Sequence, residues 1–285
     1  MAIDLHVHST KSDGTLTPKE LVSLADKINL SAFALTDHDT TEGLDEAMKY
    51  TSQTGVKLIP GIEFSTEYSG RDIHILGLFI NHRESDFLKR LNDFRDSRLL
   101  RNEKMCKKLR EEGGIDITYE LLKAENPDSV ITRSHYATFL YKHGYVNSRN
   151  EAFDRYIGDH CKYFVPRQKV TPAQAIKLVR DNGGVSVLAH PTLYHMTKKQ
   201  IRELVMDLKA SGLEGIEGIY STYSASEENY IQSLAREFSL LISGGSDFHG
   251  DAKPSLELGT GYGKLHIDDS ILEPFYEYME NRHRL

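Results

Sequence analysis

Two pairs of metal-binding side chains stand near opposite ends of the 285-residue chain. His6 and His8 lie close to the start, and Asp247 and His249 lie close to the end. Each pair has the spacing i, i+2, and in a β-strand residues at that spacing point to the same face. Each pair could therefore bind a metal from one side. Because the fold must bring the pairs together, a metalloenzyme is the first hypothesis.

The composition narrows the classes of protein that fit this chain. It has 35 basic and 42 acidic residues, a net charge of -7, which disfavours unspecific binding to nucleic acid but allows a local basic patch. We find no 18-residue apolar run and no N-terminal signal segment, and we therefore expect a cytoplasmic protein without membrane association. Cys106 and Cys161 fit neither a disulfide framework nor a CxxC metal motif. Nitrogen and oxygen ligands are thus expected.

Predicted helices alternate with short apolar segments. Capping-box sequences begin at Thr17, Ser148, Thr171 and Thr197, and proline follows Thr17 and Thr171 at the first helical position. The apolar segments are 32–35, 56–59, 73–80, 185–189, 213–219 and 240–242. This alternation is typical of βα units around a parallel sheet. We therefore predict an α/β fold.

Residues that could bind metal follow several of these apolar segments, at the strand ends where barrel enzymes place their active sites. The candidates are His6, His8, Asp13, His38, Glu63, His74, His190, Asp247 and His249. Four ligands satisfy one zinc ion, so this number suggests two or three divalent ions, and the nitrogen and oxygen donors suit zinc, manganese or iron. Other histidines are interpreted as packing or surface residues: His82, His143, His160, His195, His266 and His283.

Residues 84–165 interrupt the alternation and are predicted to be helical. Apolar residues recur along one face of a long charged helix that ends at Gly113-Gly114, and shorter helices are predicted near 119–124, 134–143 and 149–157. We interpret this stretch as a helical insertion domain that caps the active-site mouth, with residues 1–83 and 166–285 forming the barrel. The alternative is that it only extends the fold.

Seven short motifs carry the strongest functional signal, and they occur in order along almost the whole chain. They are DLHVHS (4–9), SDG (12–14), TDHD (36–39), PGIE (60–63), His74, AHP (189–191) and SDFH (246–249). Together they resemble the PHP (polymerase and histidinol phosphatase) family of metal-dependent phosphoesterases. The resemblance implies a distorted (β/α)7 TIM-like barrel and hydrolysis of phosphoric esters by metal-activated hydroxide.

The resemblance also implies a distribution of the ligands over three metal ions. The first ion would take His6, His8, Glu63 and Asp247, and the second would take Asp13, His38 and His249. The third would take Glu63, His74 and His190, which makes Glu63 a bridging ligand. Many family members carry histidine at the position of Asp13.

Further segments resemble a subgroup of nucleotide phosphoesterases in this family. They are 131–137 (ITRSHYA), 151–158 (EAFDRYIG) and 183–185 (GGV). The subgroup includes 3′,5′-nucleoside bisphosphate phosphatases and a 5′→3′ exoribonuclease. The resemblance implies that Arg133 and His135 reach the substrate phosphate or base, and His135 could protonate the leaving oxygen. The alternative for both is a helix start with a solvated cation.

A few other residues are weaker candidates for the site. Asp37, next to His38, could orient a metal ligand. Tyr220 and Tyr223 follow a predicted strand, where an aromatic ring could stack on a base or simply pack at the rim. Lys162 and Arg167 could contact phosphate, although solvent exposure is the more ordinary explanation.

The function most consistent with these observations is removal of the 3′-phosphate from nucleoside 3′,5′-bisphosphates. The alternatives are a 5′→3′ exoribonuclease acting on short RNA, a histidinol-phosphate phosphatase, and a non-catalytic metal-stabilised module. The negative net charge favours a small nucleotide over a long polyanion. The insertion with Arg133 and His135 argues against histidinol phosphate, and the complete ligand set argues against a non-catalytic module. We infer no obligate protein partner.

Overall fold

Within the part of the chain that the structure describes, seven strands form one sheet that curves into a nearly closed barrel. The computed structural model describes residues 1–166 and 170–283. The strands are β1 (Ile3–Val7), β2 (Ala32–Leu35), β3 (Lys57–Tyr68), β4 (Arg71–Leu78), β5 (Val185–Leu188), β6 (Gly215–Tyr220) and β7 (Leu241–Gly245), and they pair in chain order. Beyond β7, Phe248 accepts a hydrogen bond from the N–H of His8 at 2.9 Å. The two ends of the sheet therefore meet, and this confirms the predicted fold class.

Ten α-helices accompany the strands within the described residues. They are α1 (Pro18–Lys27), α2 (Leu44–Thr51), α3 (Ser85–Gly113), α4 (Tyr119–Glu125), α5 (Arg133–Lys142), α6 (Arg149–Ala152), α7 (Pro172–Asp181), α8 (Lys198–Ala210), α9 (Ala225–Glu237) and α10 (Leu272–His283). The predicted capping boxes are present at Thr17, Thr171 and Thr197. Ser148 caps α6, but the side chain of Glu151 accepts its hydrogen bond from Asn147 instead. No described helix is both long and apolar enough to span a membrane.

The parallel sheet that the sequence predicted is interrupted by β4, which runs antiparallel to both of its neighbours. β3 continues past Glu63 to Tyr68 and turns back at Ser69-Gly70, where both residues have positive φ. Glu63 and His74 therefore lie inside strands, and the expectation that Glu63 follows a strand end was wrong. A turn of this kind allows the two strands to pair directly as a hairpin without a crossover helix.

Both faces of the sheet are buried. In β2, Phe33 and Leu35 pack in one apolar cluster, whereas Ala32 and Ala34 pack in another. Such two-sided burial explains why this strand is a continuous apolar run in the sequence. Burial of apolar surface on both faces is the main source of stability for such a barrel.

The helical segment after β4 has an apolar cluster of its own. Residues from α3, α4, α5 and the turn after α6 form it, including Met105, Leu122 and Tyr136. Gly114 ends α3 with φ of 65°, the left-handed conformation typical of a helix end. A π-helical turn, Phe153–Ile157, follows α6. The predicted helices of this segment are therefore present.

Candidate metal centre

Glu63 lies at the centre of the predicted ligand set. Its side chain is 1% exposed, and its two carboxylate oxygens face different histidines. Oε2 lies within 3.1–3.3 Å of ring nitrogens of His6, His8 and His38. Oε1 lies 2.8 Å from His74 and 3.1 Å from His190. A carboxylate in this position could hold metal ions through both of its oxygens, as the family resemblance implies.

The first predicted ligand group has distances that fit one metal ion. The Nε2 atoms of His6 and His8 are 3.1 Å apart. They lie 3.5 Å and 3.3 Å from Oδ1 of Asp247, and 3.3 Å and 3.2 Å from Oε2 of Glu63. Tetrahedral coordination with bonds of about 2.0–2.1 Å places ligand atoms roughly 3.3–3.4 Å apart. These four side chains could therefore hold an ion with little rearrangement.

The second predicted group gathers on the other side of His8. Oδ1 of Asp13 lies 3.3 Å from Nε2 of His249, and Oδ2 lies 4.0 Å from Nε2 of His38. Nδ1 of His249 lies 2.8 Å from the main-chain oxygen of Asp247, which leaves Nε2 facing the site. Oδ1 of Asp13 is buried and makes no hydrogen bond within the described residues. A buried oxygen without a hydrogen bond beside imidazole nitrogens is typical of a cation site.

The third predicted group comes from the β3–β4 hairpin and from the end of β5. His74 pairs with Ser65 across the hairpin, and Ser65 shares a face with Glu63. Glu63 and His74 are thus diagonal neighbours on one face. His190 directly follows Ala189 at the end of β5 with φ of 27°, a strained conformation that accompanies its turn toward Glu63. The structure therefore brings all nine predicted ligands together.

The second sequence pair does not have the strand geometry that the i, i+2 spacing predicted. Asp247 and His249 lie beyond the last residue of β7, and Asp247 has φ of 58°. His6 belongs to β1 and His8 follows its end. The second pair follows the end of a strand as predicted, but the same-face argument for its i, i+2 spacing does not apply to it.

The carboxylates of the centre are held in their charged form. Burial alone would raise the pKa of Glu63, but His38, His6 and His74 bring it well below its usual range. For Asp247, burial is outweighed by Lys253, His6 and His249, and the pKa again falls well below normal. Burial would lower the pKa of His8, yet hydrogen bonds to Asp247 and Glu63 raise it to about 9. Without metal, the carboxylates thus favour protonated His8.

Other buried side chains hold the ligands in place. Oε1 of Glu217 lies 3.2 Å from Nδ1 of His6, and its Oε2 accepts a hydrogen bond from the N–H of His190 at 2.7 Å. The hydroxyl of Tyr220 donates to Oδ2 of Asp247 at 2.6 Å. Second contacts of this kind orient metal ligands. Tyr220 is therefore behind a ligand, and its predicted stacking on a base stays a prediction.

Asp37 is buried, and its carboxylate contacts the loop that follows His8. It accepts hydrogen bonds from the N–H of Ser9 at 2.8 Å and from the hydroxyls of Ser9 and Ser12, both at 2.6 Å. The hydroxyl of Ser12 in turn lies 3.4 Å from Nδ1 of His8. Asp37 thus holds the loop that leads from His8 to Asp13, and its predicted role in orienting a metal ligand stays a prediction.

A cavity of about 300 Å³ opens beside the ligands. It is lined by residues of the barrel, such as Asp13, Glu63 and Asp247, and by residues of the helical segment after β4. Five cationic side chains line it: Arg98, Arg101, Arg133, Arg149 and Lys253. A basic cavity beside a carboxylate-rich metal centre suits a phosphorylated ligand.

Arg133 lines the cavity at the start of α5. Its guanidinium pairs with Asp72 at 3.0 Å and with Asp159, and it donates to the main-chain oxygen of Ile157 at 3.3 Å. These contacts come from β4 and from the end of the π-helical turn. Arg133 is therefore oriented at the cavity wall, as a phosphate-binding arginine requires.

His135 is buried in the first turn of α5 and is not among the residues that line the cavity. Its Nδ1 accepts a hydrogen bond from the N–H of Thr132 at 3.0 Å. Burial lowers the pKa of His135 to about 4. It is a neutral imidazole at neutral pH with its proton on Nε2, so its predicted roles toward substrate stay predictions. The neighbouring Thr132, whose N–H holds His135, contacts a predicted metal ligand: its hydroxyl donates to Oδ2 of Asp13 at 2.8 Å.

The weaker candidates lie farther from the centre. Lys162 is exposed and pairs with Glu112 at 3.3 Å. The hydroxyl of Tyr223 donates to the main-chain oxygen of Glu217 at 3.2 Å, behind the ligands. Arg167 lies outside the described residues. The solvated explanation that we considered for Lys162 thus agrees with its position.

Sequence reasoning missed several residues of the site, among them Glu217, Lys253, Arg98 and Arg149. Glu217 sits in β6 with its side chain wholly buried, yet no second ligand-type residue stands at i+2. Arg98 lies on the buried face of α3 together with Leu91 and Phe94, and its position among these apolar residues is the signal that the sequence offers. It pairs with Asp39 at 2.7 Å. Buried charges are rarely unpaired, so this position pointed to an acidic partner.

The comparison with known proteins agrees with this geometry. The model of the PHP domain family matches residues 4–170. A 5′-3′ exoribonuclease of Haemophilus influenzae is 39% identical over 96% of this chain and 97% of its own length. A 3′,5′-nucleoside bisphosphate phosphatase of Chromobacterium violaceum is 32% identical over 98% of this chain and 97% of its own. A solved amidohydrolase structure from Chromobacterium violaceum, with bound sulfate and no metal, superposes with a TM-score of 0.85 at 32% identity and covers 99% and 97% of the two chains.

The chain belongs to the PHP domain family. The predicted family and the predicted class, a hydrolase of phosphoric esters, are therefore confirmed. The ligand clusters support binding of divalent metal ions.

Proposed function

We propose that the protein removes the 3′-phosphate from nucleoside 3′,5′-bisphosphates with the aid of two or three divalent ions, chosen from manganese, zinc and iron. The observation that carries the proposal is the position of Glu63 between five histidines, beside a cavity with a cationic lining. A cavity of about 300 Å³ is of a size for a small ligand. The bisphosphate phosphatase of Chromobacterium violaceum, similar over nearly its whole length, supports this substrate.

The metal ligands and the side chains of the cavity would have different roles in the reaction. Metal ions bound by the nine ligands would activate water and polarise the phosphoryl oxygens. Arg133 can donate two parallel hydrogen bonds to phosphate oxygens, a geometry that lysine cannot supply. Arg98 pairs with Asp39, which accepts a hydrogen bond from the N–H of Ser65, and the hydroxyl of Ser65 lies beside His38. These contacts fix the part of the cavity wall that Ser65 forms. Fixed donors of this kind stabilise charge that develops on phosphate without reorganising.

A second candidate is a 5′→3′ exoribonuclease, which the similarity to the Haemophilus influenzae enzyme favours. The two substrates share their chemistry. In both, a nucleoside carries a 5′-phosphate and an esterified 3′-phosphate, and water attacks that phosphorus while the 3′-oxygen leaves. In RNA the phosphate remains attached to the next nucleoside, whereas in the bisphosphate it leaves as inorganic phosphate. One centre could therefore perform both reactions if the cavity admits a longer chain.

The test compares four substrates with the manganese-loaded protein. We expect inorganic phosphate from adenosine 3′,5′-bisphosphate and none from adenosine 5′-monophosphate, which lacks the scissile group. A 5′-phosphorylated oligoribonucleotide that yields nucleoside 5′-monophosphates faster than the bisphosphate yields phosphate would favour the exoribonuclease. Histidinol phosphate is the fourth substrate, and its exclusive hydrolysis would refute both candidates. Hydrolysis of none of the four would support a non-catalytic module.

The substitution His190→Ala tests the metal centre directly. We expect loss of activity and of about one metal equivalent, because Nε2 of His190 lies 3.1 Å from Oε1 of Glu63, so that the two side chains could hold the same ion. The exposed His266→Ala is the matched control. Full activity and unchanged metal content in His190→Ala would refute the ligand assignment.

We also propose that residues 84–165 cap the site and that 1–83 and 166–285 form the barrel domain. Arg98, Arg101, Arg133 and Arg149, all from the segment 84–165, line the cavity together with barrel residues. Deletion of this segment should therefore remove substrate binding more than metal binding. We further propose a cytoplasmic location, where nucleotides are abundant.

A further inference from the structure

Lys253 lies at the metal centre although it is not one of the predicted ligands. Its side chain lines the cavity and is 35% exposed. The ammonium nitrogen forms an ion pair with Oδ2 of Asp247 and lies 3.4 Å from the main-chain oxygen of the same residue. We propose that Lys253 binds the phosphoryl group of the substrate, an inference that rests on the proposed phosphoesterase function.

Asp247 does not use all the hydrogen-bond donors of the Lys253 ammonium group. Its Oδ1 faces the imidazoles of His6 and His8, and its Oδ2 also accepts a hydrogen bond from Tyr220. An ammonium group has three N–H donors. Both hydrogen bonds of the Lys253 ammonium among the described residues go to Asp247. At least one donor is therefore available to a ligand in the cavity.

The backbone that carries Lys253 is held from two sides. Arg149 donates to the main-chain oxygens of Asp251 and Ala252, both at 3.0 Å. On the opposite side, the N–H of Asp251 donates to the hydroxyl of Thr15 at 2.9 Å. The short turn before Lys253 is thus tied both to the helical segment and to the loop after Asp13. A donor mounted in this way is positioned before the substrate arrives.

The negative charges around the cavity favour a cation at the position of Lys253. Four carboxylates, Asp13, Glu63, Asp72 and Asp247, line the cavity that a phosphate dianion must enter. Arg133, another of the cations that line the cavity, is already paired with Asp72 and Asp159. Lys253 adds a positive charge next to a metal ligand, where it can contact a non-bridging phosphate oxygen. Such a contact would strengthen as negative charge accumulates in the transition state.

The experiment compares Lys253→Met, which keeps the length of the side chain and removes its charge, with Lys253→Arg. The control is Lys177→Met, an exposed lysine on α7 that pairs with Asp181. Each manganese-loaded protein is assayed for binding of inorganic phosphate by isothermal titration calorimetry, for metal content, and for kcat and KM with adenosine 3′,5′-bisphosphate. Thermal unfolding checks that each variant is folded.

We expect Lys253→Met to weaken phosphate binding by about tenfold or more and to lower kcat/KM by about 10²–10³-fold, with unchanged metal content. Lys253→Arg should recover part of both losses. Phosphate binding equal to that of the unmodified protein would overturn the inference. So would loss of metal in proportion to activity, because Lys253 would then act only through Asp247. If no nucleotide is hydrolysed but phosphate binding still requires Lys253, the proposed function fails and the inference stands.

Discussion

Glu217 and His6 lie side by side in the barrel, both wholly buried, with Oε1 of Glu217 3.2 Å from Nδ1 of His6. The other oxygen of Glu217 accepts a hydrogen bond from the N–H of His190 at 2.7 Å. One carboxylate therefore orients two predicted metal ligands, one within β1 and one just after the end of β5. A carboxylate behind a ligand histidine selects its tautomer and makes it a stronger ligand.

The substitution Glu217→Gln should therefore weaken metal binding without removing any ligand. Glutamine fills a similar volume, but it lacks the charge that favours the His6 tautomer with a free Nε2. We expect about a 10–100-fold loss of metal affinity. Competition with a chelator of known affinity measures it.

The control for this change is Glu203→Gln, which replaces an exposed carboxylate on α8. Activity at saturating metal distinguishes a variant that only binds metal weakly from one that has also lost catalysis. If Glu217 only orients ligands, saturating metal should restore much of the activity. A Glu217→Gln protein with unchanged metal affinity would contradict the role assigned to this carboxylate.

Much of the site could be predicted because the metal ligands are chemically distinctive and fall within short motifs. The positions of His6 and His8 depend only on β1 and the residue after its end, and the loop with Asp13 comes directly after them in the sequence. The hairpin that carries Glu63 and His74 was missed, since its turn at Ser69-Gly70 was not distinguished from a longer connection. Periodicity describes single elements, whereas strand direction depends on pairing between elements.

The remaining residues could not be predicted because their roles arise only from tertiary contacts. Glu217 is one acid within an apolar strand, and nothing local distinguishes a buried carboxylate from an exposed one. Lys253 lies six residues beyond Asp247, and the intervening turn folds the lysine back onto it. Such contacts depend on chain reversal in loops, where residue types constrain conformation weakly.

Arg133 offers a test of phosphate recognition that is separate from metal binding. Arg133→Lys keeps the charge but loses the planar pair of donors, so we expect a rise in KM of about tenfold or more. Arg133→Met should raise KM further, with the metal content unchanged in both variants. Steady-state kinetics with adenosine 3′,5′-bisphosphate measures the change. Equal KM values for Arg133→Lys and the unmodified protein would show that two parallel hydrogen bonds are not required.

Metal binding at neutral pH should release protons. The pKa of His8 is raised to about 9 in the metal-free site, because hydrogen bonds to Asp247 and Glu63 outweigh burial. A protonated imidazole cannot bind metal, so His8 must lose its proton first. We expect metal affinity to fall as the pH decreases below about 9. Calorimetric titration of manganese at pH 7 in buffers of different ionisation enthalpy measures the protons released, and release of none would contradict a protonated His8.

His135 should make the metal-free protein less stable in acid. Burial lowers its pKa from 6.5 to about 4, so between these values the unfolded chain binds a proton that the folded protein does not. The stability contribution is therefore complete above pH 6.5 and is lost as the pH falls toward 4. From pH 7 to pH 5 the free energy of unfolding should fall by about 2 kcal/mol more in the unmodified protein than in His135→Gln. Urea unfolding with a chelator present measures this difference. The control, His266→Gln at an exposed position, should lose as much unfolding free energy as the unmodified protein. Equal losses in the unmodified protein and His135→Gln would mean that His135 titrates alike when folded and unfolded.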